Sequence, residues 1–540
     1  IIDTSEIVAA VLNVDYDDAF VAYLNNVEIA RANIGTIGDH PTFNQGSTSL
    51  HEAQMYQGGS PNQFIINTQI LNNILIQGNN LLSVQVHNDN ISSSDLTGRI
   101  FLSLGINTTS TNYLPTPSWF IPPFTTSNLP IVVINTNGQT IIDDPRIFCD
   151  MGIIDNGFGN INSIYDAFND YNGKISIEYR GSTSQTFPKK PYALETQDSI
   201  GNNNNVSILG MPVENDWILY APYSDKSLMR NFLTFDLGRK MGNYSPRTVY
   251  CELVINGDYK GVYVLMEKIK RDNDRVDIAK LDFDDVAGDS LTGGYIVKID
   301  RSAAAGSGGS WTSSFSTFGG NQSNIQYYYP EYNDMLPQQR QYIKAYVDSF
   351  EYALAGPNFS DTLLGYSKYI DVNSFIDLYI INELSKNIDG YRLSTYMYKD
   401  RHSNGGKLTM GPFWDYNLAF GNADYCNGGI TSGWEVDGGC AGDNPFWFER
   451  LLDDTTYQNK LKCRWEYLRE RNFHQDSIFN FIDSIELYIN DAQQRNFQRW
   501  PTLGTYVWPN YYVGNTYQDE LQFFRTWIGG RLMWIDNNIL

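Results

Sequence analysis

Asn387-Ile388-Asp389-Gly390-Tyr391, followed further on by Trp414-Asp415-Tyr416-Asn417, is the stretch that decides the reading of this chain. Between the two acids lie a strand-like run, Ser394-Thr395-Tyr396-Met397-Tyr398, a polar turn over Arg401 to Gly406, and a second short strand, Lys407-Leu408-Thr409-Met410. Acid, β-hairpin, acid is a way of bringing two carboxylates to the mouth of one cleft. One acid to orient a hydroxyl and a second to hold a divalent metal is the working pair of phosphoryl transfer. Aspartates at hairpin ends also serve simply as turn formers, so spacing by itself leaves both roles open.

Around this stretch is a chain of 540 residues, 42% hydrophobic, 14% aromatic and 18% charged, with a formal net charge of −23. Length and composition indicate a multidomain globular protein. The acidity, with a pI near 4.6, argues against nucleic acid and anionic lipid as partners. The five cysteines (149, 251, 426, 440 and 463) form no CxxC pair, so a structural zinc site is not expected. Cys426 and Cys440 flank a Gly-rich loop and suit a bridge in an oxidising compartment; five reduced thiols is the alternative. No apolar run approaches the roughly 20 residues that span a bilayer. The chain opens on Ile1-Ile2 rather than Met, which fits a processed or trimmed protein, so the lack of a signal peptide says nothing against export.

Residues 1–115 read as an all-β sandwich. Phe20 to Leu24 meets the turn Asn25-Asn26 and continues as Val27 to Ala30, a hairpin signal, and Leu82 to His87 alternates apolar and polar. His87 reads as a strand residue rather than a ligand, and no helical period is visible in this part. Residues 116–127, with Leu114-Pro115-Thr116-Pro117 and Ile121-Pro122-Pro123, read as a semi-rigid linker. A β-rich region spans 128–301. In it Lys174 to Arg180 alternates, breaks at Gly181-Ser182-Thr183-Ser184-Gln185, and resumes through Lys189-Lys190-Pro191-Tyr192. A hydroxyl-rich turn beside a lysine-bearing strand is able to hold phosphates; a plain hairpin is the other reading. An amphipathic helix is expected over Ser227 to Lys240, a hairpin around Asn256-Gly257-Asp258, and a further strand over Gly293 to Asp300. Residues 302–325, rich in Gly, Ser and Ala, read as a flexible link. The region 326–540 is helical in character, with helices expected at 338–355, 372–386, 445–453, 456–471, 476–498 and 517–537.

Several blocks taken together resemble a known family. Arg180-Gly181-Ser182-Thr183-Ser184-Gln185, Pro188-Lys189-Lys190-Pro191-Tyr192, Asp225-Lys226-Ser227-Leu228-Met229-Arg230-Asn231, Gly261 to Ile269, Asn387-Ile388-Asp389 and Trp414-Asp415-Tyr416-Asn417 are similar to the spore coat protein H (CotH) kinases. Tyr16 to Phe20, Tyr23 to Val27 and Gly78 to Asn88 resemble the jelly-roll, galactose-binding-like modules of secreted enzymes, which allows a glycan as ligand. The resemblance implies an α+β, two-lobed, atypical protein-kinase-like domain over roughly 128 to 540. Its implied activity is transfer of phosphate from ATP, with Mg²⁺ or Mn²⁺, to Ser/Thr of a surface or extracellular protein by a secreted bacterial enzyme. Carried over by position, Asp389 is the catalytic-loop acid, Asp415 the metal ligand, and Lys190 (or Lys189) the phosphate-contacting lysine. Lys190 is preferred because it shares strand parity with Tyr192 and Leu194. Arg180 and Ser182 belong to the turn over the phosphates, and Glu267 falls near the adenine-binding hinge. Arg230 stands on the helix where other kinases carry an acid. Ser394 occupies the place of the asparagine that binds a second metal in many kinases, and Asn417 is the substitute ligand. That departure keeps two alternatives open: a degenerate kinase-like binding or adhesion protein, and a kinase-fold enzyme that transfers a nucleotidyl or glutamyl group.

Overall fold

The computed structural model describes every residue except 2, 109–112, 118, 302–308, 439 and 540. The chain separates into two compact units, Ile1–Phe124 and Thr125–Leu540. It is rich in β-structure, with helices concentrated in the second half.

In the first unit the strands are β1 (Ile7–Tyr16), β2 (Ala19–Leu24), β3 (Val27–Ala32), β4 (Asn62–Ile66), β5 (Leu82–His87) and β6 (Gly98–Ile106). They form two antiparallel sheets, ordered β4-β1-β6 and β3-β2-β5. Leu12, Val14, Phe20, Ala22 and Leu24 from both sheets meet in one apolar core. The β2–β3 hairpin turns through Asn25 and Asn26 at φ 50° and 67°, the left-handed pair that matches the twist of its strands. His87 ends β5, its Nδ1 2.8 Å from the Gln45 carbonyl. The expectation of no helix here fails at α1 (Thr68–Ile74), which is capped by the Asn67 side chain and buries Leu71 and Ile74. Two apolar positions in two turns are too few to show a period in the sequence.

In the second unit β7 (Thr126–Ser127) pairs with β10 (Asn162–Ser163), and β13 (Val206–Ile208) with β14 (Met211–Glu214). The other early strands are β8 (Ile131–Asn135), β9 (Ile147–Ile154), β11 (Tyr171–Tyr179), β12 (Tyr192–Gln197), β15 (Asp216–Tyr220), β16 (Thr248–Ile255) and β17 (Asp258–Glu267). These seven close into a barrel, order β11-β12-β15-β17-β16-β8-β9. Its interior is filled by Ile175, Ile177, Leu194, Trp217, Leu219, Leu253 and Leu265 among others, so it is a packed core. The β16–β17 turn uses Asn256 and Gly257 at positive φ, the hairpin expected from the sequence.

A second sheet contains β18 (Tyr295–Ile299), β19 (Ser310–Ser316), β20 (Gln322–Tyr329), β21 (Thr395–Lys399) and β22 (Leu408–Met410), ordered β19-β20-β18-β21-β22. The expected flexible link therefore needs correction. Residues 302–308 lie outside the described residues, but 310–316 and 322–329 are paired strands whose alternation was masked by Ser and Thr. Strands from both sides of the expected link share this sheet.

The helices are α2 (Arg230–Lys240), α3 (Pro337–Ala355), α4 (Val372–Ser385), α5 (Trp447–Leu452), α6 (Thr455–Arg469), α7 (Gln475–Tyr488), α8 (Asn490–Arg499) and α9 (Tyr517–Asn538). The single helix expected over 476–498 is two, broken at Ile489. Helix α4 is buried on every side from Ser374 to Ser385, as a central helix is. No helix among the described residues is long and apolar enough to cross a membrane.

At its C-terminal end α4 carries Glu383, which is 1% exposed. Its carboxylate accepts from Arg531 of α9 at 3.0 Å, from the Glu435 and Val436 amides at 2.7 and 2.8 Å, and from the Tyr391 hydroxyl at 2.9 Å. Removing the cation leaves a buried charge without its partner. Arg531→Ala is expected to destabilise this unit by about 3–5 kcal/mol, read as a lower denaturant midpoint.

Candidate active site

A cavity of about 370 Å³ opens where the barrel, the second sheet and α2 meet. Arg180 to Ser184, the turn after β11, lines it together with Lys298, Asp300 and Arg301 from the end of β18, Asp389, Ser394, Asp415 and Asn417. Asn231 and Phe235 of α2, Tyr220, Met266, Tyr396 and Trp414 complete most of the wall.

Local structure explains why the acids converge. Helix α4 stops because Lys386 is left-handed, φ 45°, and its ammonium is held by the Ile430 and Ser432 carbonyls. The chain then turns, placing Asp389 beside Arg392, whose guanidinium meets the carboxylate at 2.6 Å. The β21–β22 hairpin carries the chain back to Asp415. There the Asn387 side-chain amide donates to the Asp415 carbonyl at 3.3 Å, and the Tyr416 amide donates to Asn231 Oδ1 at 2.7 Å. Tyr391, Ser394 and Asp415 all have positive φ (68°, 49° and 65°), conformations that non-glycine residues hold only where their surroundings fix them.

Arg230 finds its role here. It is buried on α2, pairs with Asp225 at 2.5 Å, and donates from Nε to the Ala419 carbonyl at 2.9 Å. It ties the segment after Asp415 to the start of α2. Asp225 in turn accepts the Arg230 amide at 2.9 Å, which is why α2 begins at Arg230 rather than at Ser227.

Charge in the cleft is unevenly matched. Asp415 is open to water, yet it lies inside the protein envelope rather than on its outer surface. This surrounding protein is the first cause of a carboxyl pushed up to about 6, and the charge of Asp389 is the second. Arg180 and Lys298 act in the opposite direction. Asp389 is raised as well, first by desolvation, against the pull of Arg392 and Arg301. Lys298 is engaged with Asp300 at 2.7 Å, and Arg180 lies over the Trp414 ring at 5.7 Å.

Of the residues expected at a site, Arg180, Ser182, Asp389, Asp415 and Asn417 line this one cavity, as does Ser394. Lys190 and Glu267 are not among the residues that line it. Lys190 donates to the Gln185 carbonyl at 2.6 Å, bracing the turn from behind. The parity expected for it does not reach residue 190, because β12 begins at Tyr192, after Pro191. Lys189 is buried, donating to the Val262 carbonyl and to Asn496. Glu267 is fully buried, bound to the Arg247 amide and guanidinium at 2.8 Å and to the Tyr244 hydroxyl at 3.1 Å. It falls on the face of β17 opposite to Met266, which does reach the cavity.

Lys298, Asp300 and Arg301 were passed over in the sequence. The available signal was the polar end of the Gly293–Asp300 strand, where Lys298 and Asp300 share one face at the strand period. At the rim Tyr425 stacks on Trp508, centroids 6.0 Å apart. Next to Tyr425, Cys426 is bridged to Cys440; the bridge, not the free thiols, is the outcome for that pair. Cys149 and Cys251 are buried and free.

Residues 177–535 match the family model described as CotH kinase protein. The chain belongs to the CotH kinase protein family. A 95-residue stretch is 33% identical to the inner spore coat protein H of Bacillus subtilis (strain 168), covering 18% of this chain and 24% of that protein. The aligned stretch thus spans about a quarter of that relative's length.

The raised Asp415 carboxyl of this CotH-family cleft makes a directional prediction. A folded-state value of about 6 against an ordinary 3.8 means a contribution to stability that is present at low pH and lost as pH rises through about 6. In metal-free protein, Asp415→Asn is expected to raise Tm by roughly 1–3 °C at pH 8 and by less at pH 5, measured by calorimetry.

Proposed function

We propose that this CotH-family protein is an exported bacterial kinase-like transferase that moves the γ-phosphoryl group of ATP to Ser/Thr hydroxyls of a surface or extracellular protein. The convergence of a hydroxyl-rich turn, three basic side chains and three acids on one cavity carries this reading. In the same reading the barrel with its adjoining sheet and the helical region correspond to the two lobes of a kinase-like domain, and the first unit is a galactose-binding-like jelly roll that offers a glycan contact.

The donor set fits a divalent cation of the Mg²⁺ or Mn²⁺ kind. Asp415, Asn417, Asp389 and Asp300 present only hard oxygen ligands, with no thiol or imidazole among the described cavity residues. Asp415 and Asn417 would hold the ion, and a bound ion supplies charge neutralisation on the transferred phosphoryl group. The chain's own residues do the rest. Backbone amides and hydroxyls of Gly181 to Ser184 cradle the phosphates, and Arg180 and Lys298 supply the fixed positive charge first expected of Lys190. Asp389, oriented by Arg392, receives the acceptor hydroxyl and its proton as the oxygen attacks in line. Ser394 is a poorer second-metal ligand than an amide oxygen, which favours a chemistry resting mainly on the Asp415 ligand set.

Purified protein incubated with ATP, Mn²⁺ and Ser/Thr-rich acceptors is expected to add one phosphoryl mass per site by intact-mass spectrometry. A nucleotidyl or glutamyl increment would replace this reading with the corresponding transfer. No increment above the Asp389→Ala background would leave a binding protein with a kinase-like domain. Asp389→Ala is expected to slow transfer by about 10²–10⁴-fold. Lys298→Ala should weaken nucleotide binding more than Lys190→Ala, because only Lys298 faces the cavity.

A further inference from the structure

The β1–β2 corner in the first unit carries three acids, Asp15, Asp17 and Asp18, and the protein treats them differently. Asp15 accepts the Gln54 amide at 2.6 Å and the Met55 amide at 3.2 Å. Asp18 accepts the His51 amide at 3.1 Å and the Asp89 amide at 2.7 Å. Both are saturated by backbone donors and act as struts for the loops around them.

Asp17 is not. It is 4% exposed, and its Oδ2 is buried with no hydrogen-bond partner. Its own amide is spent on the Thr97 carbonyl at 3.0 Å, so the orphan is the carboxylate alone. One carboxylate oxygen each from Asp17, Glu52 and Asp95 lies within 4.8 Å of the other two. No Lys or Arg among the described residues forms an ion pair with any of the three. The Ser93 hydroxyl, 3.5 Å from Asp95, is a marginal contact. Burial raises the Asp17 carboxyl first, then the charges of Asp95, Asp18 and Glu52, with His51 alone acting the other way; the His51 ring is stacked on Tyr16 at 4.0 Å. An unpaired buried carboxylate facing two like charges is costly unless something positive sits between them.

We propose that Asp17, Glu52 and Asp95 form a Ca²⁺ site that fastens the long loops of the first unit to its β1–β2 corner. Oxygens bound to one Ca²⁺ at 2.3–2.6 Å can stand at most about 5 Å apart, which the observed spacing satisfies. The ligands are all carboxylate, the preference of a hard cation; no sulfur or imidazole belongs to the set. Glu52 and Asp95 are exposed, leaving room for the waters that complete six to eight ligands. The three come from separate segments. Glu52 belongs to the connection from β3 to β4, residues 33–61, which has little regular structure. Asp95 belongs to the connection from β5 to β6. An ion here would close both loops onto the corner where the chain passes from β1 in one sheet to β2 in the other, the kind of clip that long loops in extracellular modules use.

The test uses the full chain carrying Asp415→Ala, so that a cation in the cleft is not counted. Equilibrium dialysis against radiolabelled Ca²⁺ should find one ion per chain, with a dissociation constant of about 10⁻³ M or tighter. Asp17→Asn should weaken binding by about tenfold or more. The pair Glu52→Gln with Asp95→Asn should do the same while leaving circular dichroism unchanged, since both side chains are exposed. Absence of binding at about 5 mM Ca²⁺ would overturn the proposal. So would an affinity that falls less than about fivefold in the folded double variant.

Discussion

Asp389 and Asp415 share one cleft with Asp300, and although Arg180, Lys298 and Arg301 also line it, the second unit has to bear the cost of holding these carboxyls inside its envelope. Desolvation raises both carboxyls; the charge of Asp389 adds to it at Asp415, and that of Asp300 at both. Arg180, Arg301, Arg392 and Lys298 reduce the penalty from the sides. Arg392 is committed to Asp389, and Lys298 to Asp300. A cleft arranged in this way is less stable than a neutral one would be, and it is poised to accept a cation and a polyanion together. Strain of this kind collects at functional sites and is supported by the surrounding structure.

That support comes from well outside the cavity. The Glu383–Arg531 pair locks the C-terminal end of α4, the Glu435–Val436 segment and α9 around the turn that delivers Asp389. The Arg230–Asp225 pair does the same for the segment following Asp415. Both pairs are buried, so each charge depends on its partner and on backbone groups. The position of each acid is thus set by an ion pair that never touches the cavity.

Much of this was legible in the sequence where one rule dominated. The Asn25-Asn26 and Asn256-Gly257 hairpins follow from the need for positive φ, and the helix expected at 372–386 is α4. Asp389, Asp415, Arg180 and Ser182 meet in one cavity, as the ordered blocks of sequence suggested. What was hidden depended on register or on distant partners. Lys190 precedes its strand, so parity could not be carried back through Pro191. Glu267 ends a strand whose opposite face reaches the cavity. The hairpin at 310–329 was obscured by serine-rich composition, and Lys298 and Asp300 gained meaning only when β18 came to lie beside β21. The Asp17 cluster draws on three segments that no local pattern connects.

The most direct check on a metal-dependent nucleotide site is thermal unfolding with ATP and Mg²⁺ or Mn²⁺, for the natural sequence and for Asp415→Ala. With ligand about a hundredfold above its dissociation constant, binding should add about 2.7 kcal/mol to the folded state. The expected result is an upward shift in Tm that needs nucleotide and metal together and disappears in Asp415→Ala. A shift of equal size in Asp415→Ala, or none with either metal, would contradict the assignment of this cleft as a metal–nucleotide site.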